Sequence, residues 1–163
     1  MHRPYTKSEK SQEDLAKEAT IQYWLFKSEP DAWSWDQQKK EGAKGAEWDG
    51  VRNYQARNVM RQMKKGDLGF FYHSGEERRV VGVVKVVAEA HPDSTDGTGI
   101  WECVDVAAVS AVKKPVTLAK IKATKSLKDM VLVNNSRLSV QPVSAGEWVS
   151  ILKMAGMKGF GET

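Results

Sequence analysis

The sequence predicts one α+β domain, a curled and mostly antiparallel sheet with short helices packed at its edges. Three observations carry that prediction. Strand-like runs rich in aromatic and β-branched residues follow one another closely from Leu68 to Val112, joined by short turns, which favours antiparallel neighbours. Helix-start signals stand outside these runs, at Ser34, Asn53 and Ser144. A length of 163 residues with 40% apolar content suits a single core, whereas two domains would be cramped.

Residues 1–20 are polar, with Leu15 as their only sizeable aliphatic side chain. Such a stretch buries too little apolar surface to offset its ordering entropy, and a disordered leader is expected. The domain proper is expected to run from 21 to 158, with 159–163 as a tail. Gln22–Lys27 predicts a first strand dense in aromatics, ended at Ser28-Glu29-Pro30 because proline cannot donate to a ladder. Ser34 and Gln37 form a capping-box pattern that opens a helix to Lys40, broken at Gly42 and Gly45. A second helix starts at Asn53. Read at about 100° per residue, its apolar side holds Ala56, Val59, Met60 and Met63, and its other side holds Tyr54, Arg57, Arg61, Lys64 and Lys65.

Gly66-Asp67 turns the chain into a strand at Leu68–His73. The next, Val80–Ala90, puts Lys85 and Glu89 on one face and Val84, Val86 and Ala88 on the other. His91–Gly99 is turn-rich, and a further strand begins at Ile100. Lys113–Lys128 holds six lysines and no acid around a short helix starting near Thr117. Ser136–Val143 reads as a strand. Ser144 and Glu147 then open a last helix whose stripe is Trp148, Ile151, Leu152 and Ala155, ended by Gly156.

A net charge of +4 permits a polyanionic partner without demanding one. Cys103 is the single cysteine, so no internal disulfide can form. No apolar run approaches the roughly 20 residues of a membrane span, and no apolar secretion signal stands at the N-terminus. A soluble cytoplasmic protein, nuclear in a eukaryote, monomeric and with no membrane partner, is expected. His2, His73 and His91 are scattered, so no metal site is expected. Phosphate-loop, dinucleotide and nucleophile-elbow signatures are absent, and no cofactor is expected.

One stretch is denser in special residue types than burial requires: Trp48-Asp49-Gly50-Val51-Arg52-Asn53-Tyr54-Gln55-Ala56-Arg57. Gly50 permits a tight turn, and Asn53 can cap the following helix. From Arg52 to Lys65 there are five basic residues and no acid. Trp24, Trp33, Trp35 and Trp48 all fall in the first quarter of the chain, a density that favours an aromatic-lined pocket. Trp24, Trp48, Tyr54 and Tyr72 offer flat faces for a base, and Ser28, Asp49 and Asn53 offer partners for its edge. Arg52, Arg57, Arg61, Lys64 and Lys65 can hold phosphates outside. Two other readings stay open. In one, His73 beside Ser28, Ser74 or Asp49 acts as a base in an enzyme on a nucleotide or small amide. In the other, the pocket senses a free nucleobase. Arg137 can reach a phosphate or pair with a buried carboxylate.

Four segments resemble the EVE-domain proteins of the thymocyte nuclear protein type, within the PUA-like superfamily that includes the YTH readers of methylated adenine. They are Lys27–Pro30, Trp48–Arg57, Phe71-Tyr72-His73-Ser74 and Ser136–Val143, and the resemblance spans Tyr23 to Gly156. It implies a PUA-like curved β-barrel with helices at its edges, and a pocket between the first strand and the Trp48 turn. It also implies non-catalytic binding of a methylated or hydroxymethylated base in DNA or RNA, flipped into that pocket. In YTH relatives a Lys-Ser pair ends the first strand and a tryptophan before the second helix walls the methyl-base cage, matching Lys27-Ser28 and Trp48. The second wall there comes from the loop after the long strand; here His91–Gly99 has no aromatic besides His91. The residues the resemblance carries over are Lys27, Ser28, Trp48, Asp49, Asn53 and Tyr54, with Tyr72, His73, Arg137, Ser139 and Gln141 beside them.

Overall fold

A computed structural model describes residues 20–158. The expected leader and tail therefore lie almost wholly outside the described residues. The elements are β1 (Tyr23–Ser28), α1 (Trp35–Lys40), β2 (Ala46–Glu47), α2 (Tyr54–Arg61), β3 (Leu68–His73), β4 (Arg79–Pro92), β5 (Glu102–Thr117), α3 (Leu118–Lys122), α4 (Val131–Asn134), β6 (Val140–Val143) and α5 (Ala145–Met154). One mixed six-stranded sheet runs in the order β2-β5-β4-β3-β1-β6. Among the described residues the sheet is curved, and its ladder stays open between β2 and β6 and does not close into the expected barrel.

The β3-β4-β5 neighbours are antiparallel, as short turns demand. β1 instead pairs parallel with β3, Tyr23 opposite Leu68 through Ser28 opposite His73. The whole of α1, β2 and α2 forms the crossover that a parallel pair needs. Reading consecutive runs for antiparallel turns does not detect a pairing that skips them. β4 and β5 shift register four times along their length, and such irregularities bend a strand pair.

Alternation along β1 and β3 sends side chains to two cores, one on each face of the sheet. Leu25, Phe70 and Tyr72 face the core closed by Ile121, Met130, Trp148 and Ile151 from the C-terminal helices. Trp148 stacks on Phe70 at 4.0 Å and on Tyr23 at 4.6 Å between ring centroids. Trp24, Phe26 and Phe71 face the core closed by Trp35 from α1 and Ala56, Val59 and Met60 from α2. Gly82 on β4 makes room for α1, since a Cβ there would lie 2.5 Å from the Trp35 ring.

The helix starts obey the local chemistry. Ser34 with Gln37 and Ser144 with Glu147 form complete capping boxes, and Thr117 caps α3. Two ends differ from expectation. α2 stops at Arg61 rather than Lys65. The Asp67 carboxylate pulls the chain round by accepting the Lys64 N–H at 2.9 Å. The strand expected from Ser136 begins only at Val140, because Ser136–Ser139 form the loop that passes the end of β1, where the Lys27 N–H donates to the Ser139 carbonyl at 2.8 Å.

Candidate functional site

The Trp48–Asn53 segment is held at both ends and in its middle. The Trp48 N–H donates to the Val104 carbonyl at 2.8 Å, which docks the segment on β5. Gly50 takes φ +79°, a left-handed turn that a side chain would strain. Asn53 caps α2 by accepting the Ala56 N–H at 2.9 Å. The middle is fastened by Asp93, which is 2% exposed, from the loop between β4 and β5. Its Oδ2 accepts the Gly50 N–H at 2.9 Å and an Arg52 N–H at 3.1 Å, and its Oδ1 accepts the Thr95 N–H at 2.8 Å and hydroxyl at 2.6 Å. Burial works against the charge, but the bonds from Thr95, Gly50 and Arg52 outweigh it and keep the Asp93 carboxyl below the usual range.

Between this segment and the end of β1 lies a cavity of about 720 Å³, within the roughly 300–1,000 Å³ typical of small-ligand sites. Its floor and walls include Lys27, Ser28, Trp33, Trp48, Asp49, Arg52, Asn53 and Ser139. Trp48 is 6% exposed and meets Phe26 and Phe71 edge to face, so the fold immobilises it. Trp33 is only half-buried, and its Nε1–H donates to Gln38 Oε1 at 3.0 Å. Carboxylates outnumber cations here: Glu29, Glu41, Glu47 and Asp49 against Lys27 and Arg52. Burial, then the Asp93 and Glu47 charges, hold the Asp49 carboxyl above its usual range, opposed by Arg52. Partial burial pulls the Lys27 ammonium below the usual lysine range. Such a lining repels phosphate and favours a ligand edge rich in N–H donors.

The structure gathers Lys27, Ser28, Trp48, Asp49, Arg52, Asn53 and Ser139 into the cavity. Their bonding is already partly committed. The Ser28 hydroxyl donates to the Trp33 carbonyl at 2.6 Å, leaving it acceptor capacity only. The Asn53 carbonyl oxygen is spent on the cap, leaving its amide as donor. Lys27 Nζ donates to the Ser136 carbonyl.

The other expected residues fall elsewhere. Trp24 is a core residue whose indole N–H donates to Asp67 at 2.9 Å. Tyr72 lies in the core on the opposite face, where burial pushes its hydroxyl up to about 12. His73 Nε2 accepts the Trp35 N–H at 3.0 Å, so the proton sits on Nδ1, 2.9 Å from Glu77 Oε1. That arrangement spends both ring nitrogens on structure. Gln141 is fully buried and donates to the Leu138 carbonyl at 2.7 Å. Arg137 is exposed, outside the cavity, as is Tyr54. Of the cations expected to hold phosphate, Arg52 pairs with Asp93, Arg61 pairs with Glu102, and Arg57 donates to the Ile100 carbonyl at 3.1 Å. Lys64 and Lys65 are exposed, with no ion pair among the described residues.

Trp33, Ser94, Glu29 and Glu47 also line the cavity, though none stands among the expected site residues, and Asp93 fastens its loop. Trp33 had a faint signal, as one of four clustered tryptophans; Asp93 had none, since nothing local marks a carboxylate for burial. The fold also brings together residues that the sequence scatters. Glu47, His91 and Cys103 present ligating atoms within 4.8 Å of one another. Both His91 nitrogens there already face oxygen, Asp105 at 2.7 Å and the Pro92 carbonyl at 3.0 Å. Burial, then Glu47, Asp93 and Asp105, push the Cys103 thiol far above its usual range.

Residues 22–154 match the EVE domain model. The chain belongs to the EVE domain family. Thymocyte nuclear protein 1 of Homo sapiens is 35% identical over 164 residues, covering 81% of this EVE chain and 73% of the relative. A crystal structure from Agrobacterium tumefaciens is 54% identical, with a TM-score of 0.82 over 84% of this chain and 94% of that one. The human THYN1 protein, solved in complex with DNA containing 5-methylcytosine, is 34% identical with a TM-score of 0.78, covering 85% of this chain and 99% of its own. A YTH domain from Zygosaccharomyces rouxii shares the EVE fold at 20% identity and a TM-score of 0.51, over 86% and 90%.

Proposed function

We propose that this EVE domain binds a modified base of a nucleic acid, methylated cytosine in DNA foremost, in the cavity between β1 and the Trp48–Asn53 segment. It binds without catalysis. The reading is carried by one conjunction: a cavity walled by two tryptophans and rimmed by free carboxylate, in a chain 34% identical to a human protein solved with 5-methylcytosine DNA. Cytosine presents an exocyclic amine, which a carboxylate accepts well, and Asp49 has no hydrogen-bond partner among the described residues. Trp33 and the part of Trp48 that lines the cavity supply apolar contact for the ring and its methyl group. A base in a duplex reaches such a cavity only by leaving its stack, so flipping accompanies binding. Neutralised Arg52 and Arg61 leave the backbone to Lys64, Lys65 and neighbouring cations.

The experiment is a titration against short DNA and RNA carrying cytosine, 5-methylcytosine, 5-hydroxymethylcytosine or N6-methyladenine, with Asp49→Asn and Trp33→Ala alongside. Preference for methylated cytosine, with a loss of about 10- to 100-fold in Asp49→Asn, is expected from one charge-assisted hydrogen bond. Equal affinity for modified and unmodified strands in the wild type would sink the proposal. Trp48→Ala is a poor probe despite the central place of Trp48 in the sequence, because this buried ring packs on Phe26 and Phe71 and its loss would cost fold stability.

A further inference from the structure

Beside the cavity stands an aromatic surface that the core does not use. Tyr54, at the first position of α2, is 59% exposed, and its ring lies 4.8 Å from that of half-buried Trp101 at an interplanar angle of 31°. Arg57 caps the pair, its guanidinium 4.9 Å from the Tyr54 centroid and 5.8 Å from that of Trp101. Arg52, which lines the cavity, lies 5.7 Å from the Trp101 centroid and so joins the two regions. Ile100, 47% exposed, extends the apolar area.

We propose that Tyr54 and Trp101, with Arg57 and Arg52, form a second subsite that stacks the nucleotide next to the base held in the cavity. This rests on the reading of the cavity as a base site. Three features argue for a nucleotide over an apolar protein partner. The rings are flat and reachable, so any base can stack on one, whatever its sequence. The Arg57 guanidinium at the same spot, with no carboxylate partner among the described residues, complements a phosphodiester and penalises a purely apolar partner. The surface is also prearranged. Arg57 is held by the Ile100 carbonyl, Arg52 by Asp93 and Thr95, and the Trp101 backbone by Asp96 through an N–H bond of 2.9 Å. Little side-chain freedom is left to lose on binding, which is what makes an exposed aromatic pair an effective contact. A base flipped from a strand leaves a neighbour that has lost one stacking partner, and the Tyr54–Trp101 surface replaces it.

The test compares three probes by NMR titration of the full chain: the nucleoside 5-methyl-2′-deoxycytidine, single-stranded dinucleotides extended from it on either side, and the trinucleotide. The wild type should bind an extended probe roughly 10- to 100-fold more tightly than the nucleoside. Trp101→Ala and Tyr54→Ala should remove most of that gain and leave nucleoside affinity within about twofold, whereas Tyr54→Phe should keep it. A gain that survives both alanine variants would overturn the subsite while leaving the cavity reading intact. Loss of nucleoside binding in folded Trp101→Ala and Tyr54→Ala proteins would also overturn it, because the rings would then belong to the cavity itself. Failure of the wild type to bind any of the three probes would overturn both readings.

Discussion

Asp93→Asn isolates the anchor of the Trp48–Asn53 segment while leaving its shape unchanged. The carboxylate accepts four hydrogen bonds, two on each oxygen. An asparagine has one acceptor oxygen and one amide that only donates. With its oxygen toward Thr95, the amide faces the Gly50 N–H and Arg52, donor against donor. With its oxygen toward Gly50, the Thr95 hydroxyl can rotate to accept, but the Thr95 N–H is orphaned. In either orientation a backbone N–H loses its partner and Arg52 loses its counter-charge. Removing hydrogen bonds to a charged acceptor costs about 1.5–3 kcal/mol apiece, and Arg52, whose side chain is 37% exposed, regains part of its share from water. The net loss is about 2–4 kcal/mol. For a domain of this size that lowers Tm by roughly 5–15 °C. Calorimetry on the variant, paired with a titration of 5-methylcytosine DNA, tests this. Affinity should fall further than that of a surface control of equal Tm, since Asp93 holds the cavity wall. A variant with Tm within about 1 °C of wild type and unchanged affinity would refute the reasoning.

Two further outcomes follow from the same geometry. His91 is held above its ordinary range: burial opposes the charge, but the Asp105 carboxylate and the Pro92 carbonyl outweigh it. Because the folded value lies above the unfolded one of about 6.5, the stabilisation it contributes is complete below the unfolded value and is lost as pH rises through the folded one. Urea unfolding of wild type and His91→Gln across this window should therefore give a difference that shrinks as pH rises; a constant difference refutes the pairing. Lys64→Gln with Lys65→Gln should flatten the salt dependence of DNA binding by about 1–2 in log–log slope, whereas Arg61→Gln, already paired with Glu102, should change it by less than about 0.5. Equal slopes for both variants would show that the Glu102 pair opens on binding.

Features with local causes can be read directly from the chain. Ser34, Asn53, Thr117 and Ser144 cap their helices because a side-chain oxygen reaches an N–H only two or three residues away. The apolar spacing of Ala56, Val59 and Met60 places α2 on its core, and Gly50 turns where a left-handed conformation is needed. The Lys27-Ser28 pair that ends β1, Ser139 and four residues of the Trp48–Asn53 stretch lie around one cavity. Roles that depend on distant partners emerge only once the chain is folded. Trp24 and Trp33 look equivalent in the sequence, but Asp67 draws one into the core while the other walls the cavity. Alternation alone puts Phe71 and Tyr72 on opposite faces, but the helices packed on each face decide the surroundings: α1 and α2 cover Phe71, and the C-terminal helices cover Tyr72. Asp93 becomes the anchor of the site only because the β4–β5 loop arrives 43 residues after Gly50, and Trp101 meets Tyr54 by the same approach. A charge or a ring acquires its role from what packs against it, and for these residues that contact is long-range.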